Sequence, residues 1–238
     1  MRLLLPFLAL LCAGLLLPTL PLVAQMNEGE HVEDAAVKGN KAMDAVTEDP
    51  ALPRVLLIGD SISISYTVGT RTLLKGKANV LRIPGNGMDS HNGVTHIPGW
   101  LGKGKWDVIH VNFGLWDSKN HGGKPTADPA TYEKNLHTII GLLKATGAKI
   151  IWATTTPVPA VLHPATRIFN PPIPAYNDVA LKVAKEEGIA VDDLYNVILP
   201  VQAKYQNAFD VHYNAEGAGI LAAAVAKSIE AELPPVKH

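Results

Sequence analysis

Two short segments, far apart in the sequence, carry residues suited to nucleophilic catalysis. The first is GDS at residues 59–61, which directly follows the apolar run Val55–Ile58. The second is FDVHYNAEG, in which His212 precedes an apolar helical segment. A serine hydroxyl is a poor nucleophile until a base takes its proton, and histidine is the commonest such base. Ser61 and His212 are therefore candidates for a nucleophile and its base.

Each segment also has an ordinary structural interpretation. Asp and Ser are common helix N-caps, so GDS fits equally well the start of a helix after a strand. His212 is one of nine histidines, any of which can be a surface or capping residue. A loop histidine next to a packed helix would be held rigidly, but sequence position alone leaves both interpretations open.

The run that ends at Gly59 belongs to a regular alternation of strands and helices. A continuous apolar run that ends in a glycine turn is typical of a buried parallel strand. Strands are predicted over Val55–Ile58, Val80–Ile83, Val108–Phe113, Ile150–Thr154 and Ile189–Val191. Helices are predicted over Thr131–Thr146, Pro174–Glu187 and Ala215–Leu233, the last with Asn214 as N-cap. This pattern predicts an α/β fold, a three-layer α/β/α sandwich around a five-stranded parallel sheet.

Two stretches rich in proline and glycine, Gly85–Gly99 and Pro157–Pro174, follow predicted strand ends. Open α/β sheets place their chemistry at the carboxyl ends of the strands. Both stretches are longer than minimal connections, and long loops in such places are usually functional. We predict that they shape a substrate pocket beside Ser61.

The N-terminal residues predict export. Residues 1–24 combine one arginine, a leucine-rich core and small residues at the end, which is typical of a secretory signal peptide. Residues 25–52 are polar and acidic and form either a flexible leader or a short surface helix, and the domain occupies residues 53–238. Cys12 is the only cysteine, so the cleaved chain would hold no disulfide, thiolate metal site or cysteine nucleophile. We expect a periplasmic or secreted protein without a membrane span after signal cleavage.

The net charge and the spacing of glycines and histidines argue against several other classes of function. The formal net charge of −1 gives no electrostatic argument for nucleic-acid binding. The glycines around Gly87 are not followed by Lys-Ser/Thr, so they do not form a phosphate-binding loop. His91 and His96 lack a typical metal-ligand spacing. We expect no metal and no organic cofactor.

Four sequence blocks resemble those of the SGNH, or GDSL-type, hydrolase superfamily. They are GDSIS from Gly59, PGNGMDS around Gly87, NFGLWD at Asn112–Asp117 and DVHYNAEG at Asp210–Gly217. Their order and spacing fit, and the chain is similar to a secreted bacterial branch of the superfamily. The resemblance implies a flavodoxin-like fold (the SGNH hydrolase fold) and hydrolysis of acyl esters, often acetyl groups on carbohydrate. It implies Ser61 as nucleophile, His212 as base, and the backbone N–H groups of Ser61 and Gly87 as oxyanion donors.

The third block departs from the family pattern at Trp116. The family has an asparagine there, whose side chain also binds the oxyanion. The indole of Trp116 offers a single N–H donor, and the side chain of Asn112 or Asn86 is an alternative donor to the oxyanion. Loss of one oxyanion donor typically costs about 2.7–4 kcal/mol in the barrier.

The last block departs from the family pattern in the position of its acidic residue. The family usually has Asp three residues before the histidine, where this chain has Phe209. We predict that Asp210, two residues before His212, orients the imidazole. The alternatives are a Ser-His dyad steadied by a backbone carbonyl, or an Asp210 that faces solvent.

These features predict an exported serine esterase that acts on acyl, chiefly acetyl, esters, with a glycan or small-molecule ester as substrate. Trp100 and Trp116 are candidate sugar-stacking residues, and Asp60 and Asp117 are expected to have structural roles. One alternative is a lipid or aryl esterase, or an acyltransferase with the same serine. Another is a catalytically degenerate SGNH-fold carbohydrate-binding module, which Trp116 and the displaced acid would favour.

Overall fold

The computed structural model describes residues 37–121, 123–162 and 172–235. The predicted signal peptide, residues 25–36 and half of the predicted loop Pro157–Pro174 (residues 163–171) lie outside these ranges. None of the helices within them has the length and apolarity needed to cross a membrane.

A five-stranded parallel sheet forms the centre of the fold. Its strands are β1 Arg54–Ile58, β2 Asn79–Arg82, β3 Val108–Val111, β6 Lys149–Ala153 and β7 Ala190–Asp192. A small hairpin, β4 Asn120–His121 and β5 Lys124–Pro125, follows β3. The order of strands in the sheet is β2-β1-β3-β6-β7, and every neighbouring pair is parallel. All five predicted sheet strands are confirmed, with ends shifted by one or two residues.

Helices cover both faces of the sheet, as the predicted α/β/α sandwich requires. They are α1 Ser61–Leu73, α2 Ser90–Leu101, α3 Pro129–Lys144, α4 Ile173–Glu186, α5 Leu194–Ile198, α6 Gln202–Tyr205 and α7 Ala215–Glu232. One apolar cluster joins α1 and α7 to the sheet, through residues such as Tyr66 and Leu221. The other joins α2, α3 and α4 to the opposite face, through Ile97, Leu136 and Val183.

Helix α1 begins at the candidate nucleophile, in a segment rich in hydroxyl residues. These hydroxyls do not interrupt the helix because they bond to carbonyls one turn back. Thr67 Oγ1 donates to the Ser63 carbonyl at 2.7 Å, and Thr70 Oγ1 donates to the Tyr66 carbonyl at 2.9 Å.

The prediction of a long loop over Gly85–Gly99 is wrong. The loop ends at Asp89, whose carboxylate caps α2 by accepting the Asn92 N–H at 2.9 Å. The glycine content reflects close packing rather than loop structure at Gly93, where a Cβ would lie 2.6 Å from the Phe113 ring. Helix α2 therefore occupies most of a stretch whose composition indicates a loop.

Residues 37–52, the described part of the predicted leader, lie against the domain. Ala42 is fully buried. Asn79 at the start of β2 holds Asp49 by two hydrogen bonds, donating to its carbonyl and accepting its N–H, each at 2.8 Å. Arg71 donates to the Lys41 carbonyl at 3.1 Å.

Helices α1 and α7 cross closely at Gly69. A Cβ added there would lie 2.7 Å from the Ala222 Cβ, a distance that real Cβ atoms do not adopt. The absent side chain thus lets α1, with Ser61 at its first residue, pack against the helix that follows His212.

Gly69→Ala should destabilise the fold by about 1–3 kcal/mol because overpacking outweighs the gain in helix propensity. The control is Gly219→Ala in α7, where a Cβ meets nothing within 4 Å. This control should be neutral or stabilising by up to about 1 kcal/mol. Urea unfolding measures both, and similar changes in the two variants would contradict the close crossing.

Candidate active site

Ser61 lies at the carboxyl edge of the sheet, where β1 passes into α1. Asp60 caps the helix, and its carboxylate accepts the Ile62 N–H at 2.9 Å. Because Ser61 is the first residue of α1, its N–H has no acceptor within the helix. The N-terminus of a helix also favours negative charge, so this position suits an oxygen that becomes anionic.

His212 connects Ser61 to Asp210 by two hydrogen bonds. Its Nε2 lies 2.8 Å from Ser61 Oγ. Its Nδ1 lies 2.8 Å from Asp210 Oδ1. With Nδ1 protonated and donating to Asp210, Nε2 accepts the Ser61 hydroxyl and is placed to take its proton. The structure thus brings together the three residues predicted to form the catalytic group.

The loop that carries His212 is closed at its base. Gln206 and Tyr213 form an isolated antiparallel bridge. The Asn207 N–H donates to the His212 carbonyl at 2.9 Å. Gln206 Nε2 and Tyr213 Oη both donate to the Pro157 carbonyl, at 3.0 and 2.9 Å. These bonds fix the backbone on both sides of the imidazole.

Phe209 explains how an acid two residues from His212 reaches the imidazole. Its φ of 58° is left-handed, which is uncommon for a residue other than glycine. The chain turns there, and the Asp210 N–H donates to the Asn207 carbonyl at 3.2 Å. Backbone strain of this kind is concentrated at functional sites. Sequence alone gives no sign of this turn, because phenylalanine does not favour the conformation.

The Gly87 N–H, which is predicted to bind the oxyanion, is hydrogen-bonded within the protein. That N–H donates to the Gly59 carbonyl at 3.0 Å, and a Cβ on Gly87 would lie 2.8 Å from the same oxygen. Gly87 therefore serves the close contact between the two loops. The next N–H, of Met88, donates to Asn86 Oδ1 at 2.9 Å, and Met88, like Phe209, has a left-handed backbone, with φ of 56°.

Asn112 is likewise not available as an oxyanion donor. Its Nδ2 donates to the Ala153 carbonyl at 2.8 Å and to Thr155 Oγ1 at 3.3 Å, and the residue is buried. Its amide ties the end of β3 to the end of β6. Trp116 is half-buried in the turn that follows, with the Lys119 ammonium over its ring.

Two buried carboxyls have the structural roles expected for them. Asp117 is fully buried and accepts the Ser90 N–H at 3.1 Å together with the Ser90 hydroxyl, so it joins the turn after β3 to the start of α2. Burial raises the pKa of the Asp117 carboxyl to about 6. Burial also raises the pKa of the Asp60 carboxyl, while the Ile62 N–H and the charges of His212 and Lys119 oppose that shift.

Arg82 is a site residue that sequence reasoning missed. From the end of β2 its guanidinium donates to the Gly85 carbonyl at 2.6 Å and to Ser63 Oγ at 3.0 Å. Burial lowers the pKa of Arg82 to about 10. The side chain connects the loop at Gly85–Asp89 to the first turn of α1. An arginine at the end of a buried strand is the one signal in the sequence that points to it.

Trp100 does not line the site. It lies near the C-terminal end of α2, where its ring stacks on His96 with centroids 5.7 Å apart. Helix α2 starts beside Asp117, and a helix rises about 1.5 Å per residue, so Trp100 is roughly 15 Å from the active-site edge. The predicted sugar-stacking role of Trp100 therefore requires a glycan that extends over this distance from the ester.

A second Asp-His pair belongs to the core. His110 Nε2 lies 2.9 Å from Asp192 Oδ2, which also accepts the Ser228 hydroxyl at 3.0 Å. His110 is fully buried between strands and α7, so no substrate reaches it.

The described residues hold one group with metal-ligand geometry. Ligand atoms of Glu133, His137 and Glu186 lie within 4.8 Å of one another on α3 and α4. The Lys182 ammonium is already paired with Glu133 at 2.7 Å. The group is therefore a surface ion-pair cluster between these helices.

Comparison with known proteins shows a family and several similar folds. A model of the GDSL-like lipase/acylhydrolase family matches residues 57–220. A lipase/acylhydrolase from Enterococcus faecalis has a similar structure, with a TM-score of 0.65 and 21% identity over 78% of this chain and 100% of its own. An acetyl xylan esterase has a TM-score of 0.62 and 18% identity over 74% of this chain and 99% of its own. An acetylxylan esterase from Geobacillus stearothermophilus has a TM-score of 0.61 and 18% identity over 74% of this chain and 94% of its own. No curated protein matches the chain.

The raised pKa of Asp117 predicts a pH-dependent stability. Relative to the ordinary value of 3.8, a folded-state pKa of about 6 means that the folded protein binds this proton more tightly. The protonated Asp117 carboxyl therefore makes its full contribution to the free energy of unfolding below about pH 4, and this contribution is lost as the pH rises through 6. Asp117→Asn should remove this dependence, so wild type should lose on the order of 2–3 kcal/mol relative to the variant between pH 4 and 7.

Urea unfolding at pH 4, 5, 6 and 7 measures the difference between the two proteins. Asp178→Asn removes an exposed carboxyl from α4 and controls for the change in net charge. A difference between wild type and Asp117→Asn that stays constant with pH would contradict the prediction.

Proposed function

This chain belongs to the GDSL-like lipase/acylhydrolase family and is a serine hydrolase, and we propose that it hydrolyses acetyl esters of carbohydrate through Ser61, His212 and Asp210. The observation that carries the proposal is the hydrogen-bonded series from Asp210 through His212 to Ser61, with both distances at 2.8 Å. The proposal includes export, which the composition of residues 1–24 supports.

Acylation begins when Ser61 Oγ attacks the carbonyl carbon of the ester. The hydroxyl proton moves to His212 Nε2, and Asp210 stabilises the resulting imidazolium. The imidazolium then donates this proton to the departing alcohol oxygen, which leaves the acyl group on Ser61. In the second half, water gives a proton to His212 Nε2 and attacks the acyl carbon, and Ser61 Oγ leaves with that proton. The products are the free acid and the alcohol.

The oxyanion hole is proposed to differ from the family pattern. The Ser61 N–H, at the N-terminus of α1, is the first donor. The predicted second donor, the Gly87 N–H, and its neighbour, the Met88 N–H, are bonded within the protein to the Gly59 carbonyl and to Asn86 Oδ1, so either one must exchange that bond to bind the oxyanion. That exchange stabilises the charge only in the transition state, as oxyanion donors require.

Two observations favour a carbohydrate ester over a lipid ester. The side chains of His212 and Asp210 are 36% and 39% exposed, which suits an open surface where a glycan chain can lie. Two proteins of similar fold are acetylxylan esterases. The binding-module alternative requires a Ser61 hydroxyl out of reach of the imidazole, and the 2.8 Å contact argues against it.

Hydrolysis of 4-nitrophenyl acetate by the protein and its variants tests the mechanism. Ser61→Ala and His212→Ala should each lower kcat by more than about 10³-fold, and Asp210→Asn should lower it by at least about 10²-fold. Ser65→Ala is the matched control, because it removes another serine hydroxyl from the same helix. That hydroxyl donates to the Ile62 carbonyl at 2.7 Å. The control should keep activity within about threefold of wild type. Folded Ser61→Ala protein with wild-type turnover would refute the mechanism.

Substrate class is tested with acetylated xylo-oligosaccharides and a long-chain acyl ester of 4-nitrophenol. We expect a higher kcat/KM for acetate release from the oligosaccharides than for hydrolysis of the long-chain ester. Higher kcat/KM for the long-chain ester would contradict the carbohydrate assignment and favour the lipid-esterase alternative.

A further inference from the structure

Arg82 joins the loop after β2 to the turn that leads into the nucleophile. It is the last residue of β2, and its Nη1 donates to the carbonyls of Gly85 and Ile83, at 2.6 and 3.0 Å. Its Nη2 donates to Ser63 Oγ at 3.0 Å and lies 3.4 Å from the Gly59 carbonyl oxygen. One side of the guanidinium is thus anchored in the loop, and the other side faces the turn between β1 and α1.

The Gly59 carbonyl is the point at which this arginine meets a candidate oxyanion donor. Gly59 is buried, and its carbonyl oxygen accepts the Gly87 N–H at 3.0 Å. A carbonyl oxygen has two lone pairs, so it can accept the Gly87 N–H and Arg82 Nη2 together. The two donors therefore converge on one buried acceptor.

This convergence bears on the exchange of hydrogen bonds that the oxyanion hole requires. If the Gly87 N–H turns from the Gly59 carbonyl to the oxyanion, a buried carbonyl loses a donor, which is unfavourable unless another donor replaces it. Arg82 Nη2 already faces this oxygen, and a charged donor forms a stronger bond than a neutral one. Burial lowers the pKa of Arg82 to about 10, so the guanidinium stays charged at neutral pH.

The loop is held on both sides of the peptide that would move. Arg82 binds the Gly85 carbonyl, and Asn92 Nδ2 donates to the Gly87 carbonyl at 2.9 Å. The Gly87 N–H belongs to the peptide between these two anchors. Glycine has wide conformational freedom, so this peptide can rotate while its neighbours stay in place.

The position of Arg82 also has a cost. Within the described parts of the chain, its Nε is buried and has no hydrogen-bond partner. A buried N–H without an acceptor is unfavourable, and such groups are rare in folded proteins. The arginine is therefore a poor choice for stability alone, and its other contacts must account for it.

We propose that Arg82 is a positioning residue that takes over the Gly59 carbonyl when the Gly87 N–H turns to the oxyanion. This inference rests on the proposed mechanism and assigns the exchange at the second oxyanion donor to Gly87. The Met88 N–H then keeps its bond with Asn86 Oδ1. Arg82 acts through the loop and not on the reacting atoms.

Hydrolysis of 4-nitrophenyl acetate by Arg82→Met protein tests this role. Methionine fills much of the same space but has no donor for the Gly59 carbonyl. Because the replacement bond forms only in the transition state, kcat and kcat/KM should fall together by at least about tenfold, with KM within about threefold of wild type.

Arg71→Met is the matched control. Arg71 is also partly buried, and its guanidinium donates to the carbonyls of Val80 and Lys41, at 3.0 and 3.1 Å. These carbonyls lie outside the site, so kcat should stay within about threefold of wild type.

Folded Arg82→Met protein with the kcat of wild type would overturn the proposal. A loss of kcat/KM that comes from a higher KM would also overturn it, because Arg82 would then shape the substrate pocket. If wild type itself hydrolyses no ester, the proposed mechanism fails and this inference fails with it.

A crystal structure of wild type with Ser61 phosphonylated by a fluorophosphonate tests the exchange without any variant. The phosphonyl oxygen takes the place of the oxyanion. The Gly87 N–H should donate to this oxygen, and Arg82 Nη2 should approach the Gly59 carbonyl to about 2.9 Å.

An adduct in which Gly87 still donates to Gly59 would refute the exchange, whether or not Arg82→Met folds. Such an adduct would still carry the phosphonyl group on Ser61, so it would leave the proposed function intact.

Discussion

The hydrogen bond between Ser61 Oγ and His212 Nε2 joins residues 151 positions apart, and the rest of the site depends on it. Such a bond forms only if two distant loops are fixed to within a few tenths of an ångström. The fold fixes the positions of these two loops by placing α1 and α7 against each other on one face of the sheet. Ser61 is the first residue of α1, and His212 lies three residues before α7. The close crossing at Gly69 and Ala222 therefore fixes the separation of nucleophile and base.

The second constraint is a set of buried polar contacts among the loops at the carboxyl edge of the sheet. The Gly59 carbonyl accepts the Gly87 N–H, and Asp117 holds the first residue of α2. Buried polar groups of this kind are costly when unpaired, so the contacts select one arrangement of the loops. The same contacts occupy donors that a family pattern assigns to the oxyanion. An oxyanion donor at Gly87 or Met88 therefore has to exchange an existing hydrogen bond.

The sequence was sufficient for the sheet and the layer architecture, and its resemblance to the SGNH superfamily pointed to Ser61 and His212, with Asp210 as the nearest carboxylate. Apolar runs with glycine stops are strong signals because parallel strands are buried on both faces. Helix α2 was missed because Gly93 and Pro98 give it the composition of a loop, although Gly93 is required by contact with Phe113.

The differences between the predicted and the observed surroundings of the site residues have a common origin. Gly87, Asn112 and Trp100 have residue types that suit the predicted roles, but a residue type does not reveal whether its donor is already engaged or how far along a helix it lies. The reach of Asp210 to His212 depends on a left-handed Phe209, which no local pattern indicates. Long-range hydrogen bonds and backbone conformation decide these points, and both arise from tertiary structure.

The most direct test of the account is covalent labelling with a fluorophosphonate, followed by peptide mapping by mass spectrometry. This reagent requires an activated serine and does not depend on knowledge of the natural ester. We expect one adduct per chain, located at Ser61, and a large loss of labelling rate in folded His212→Ala protein. Labelling at another residue, or an unchanged rate without His212, would contradict it.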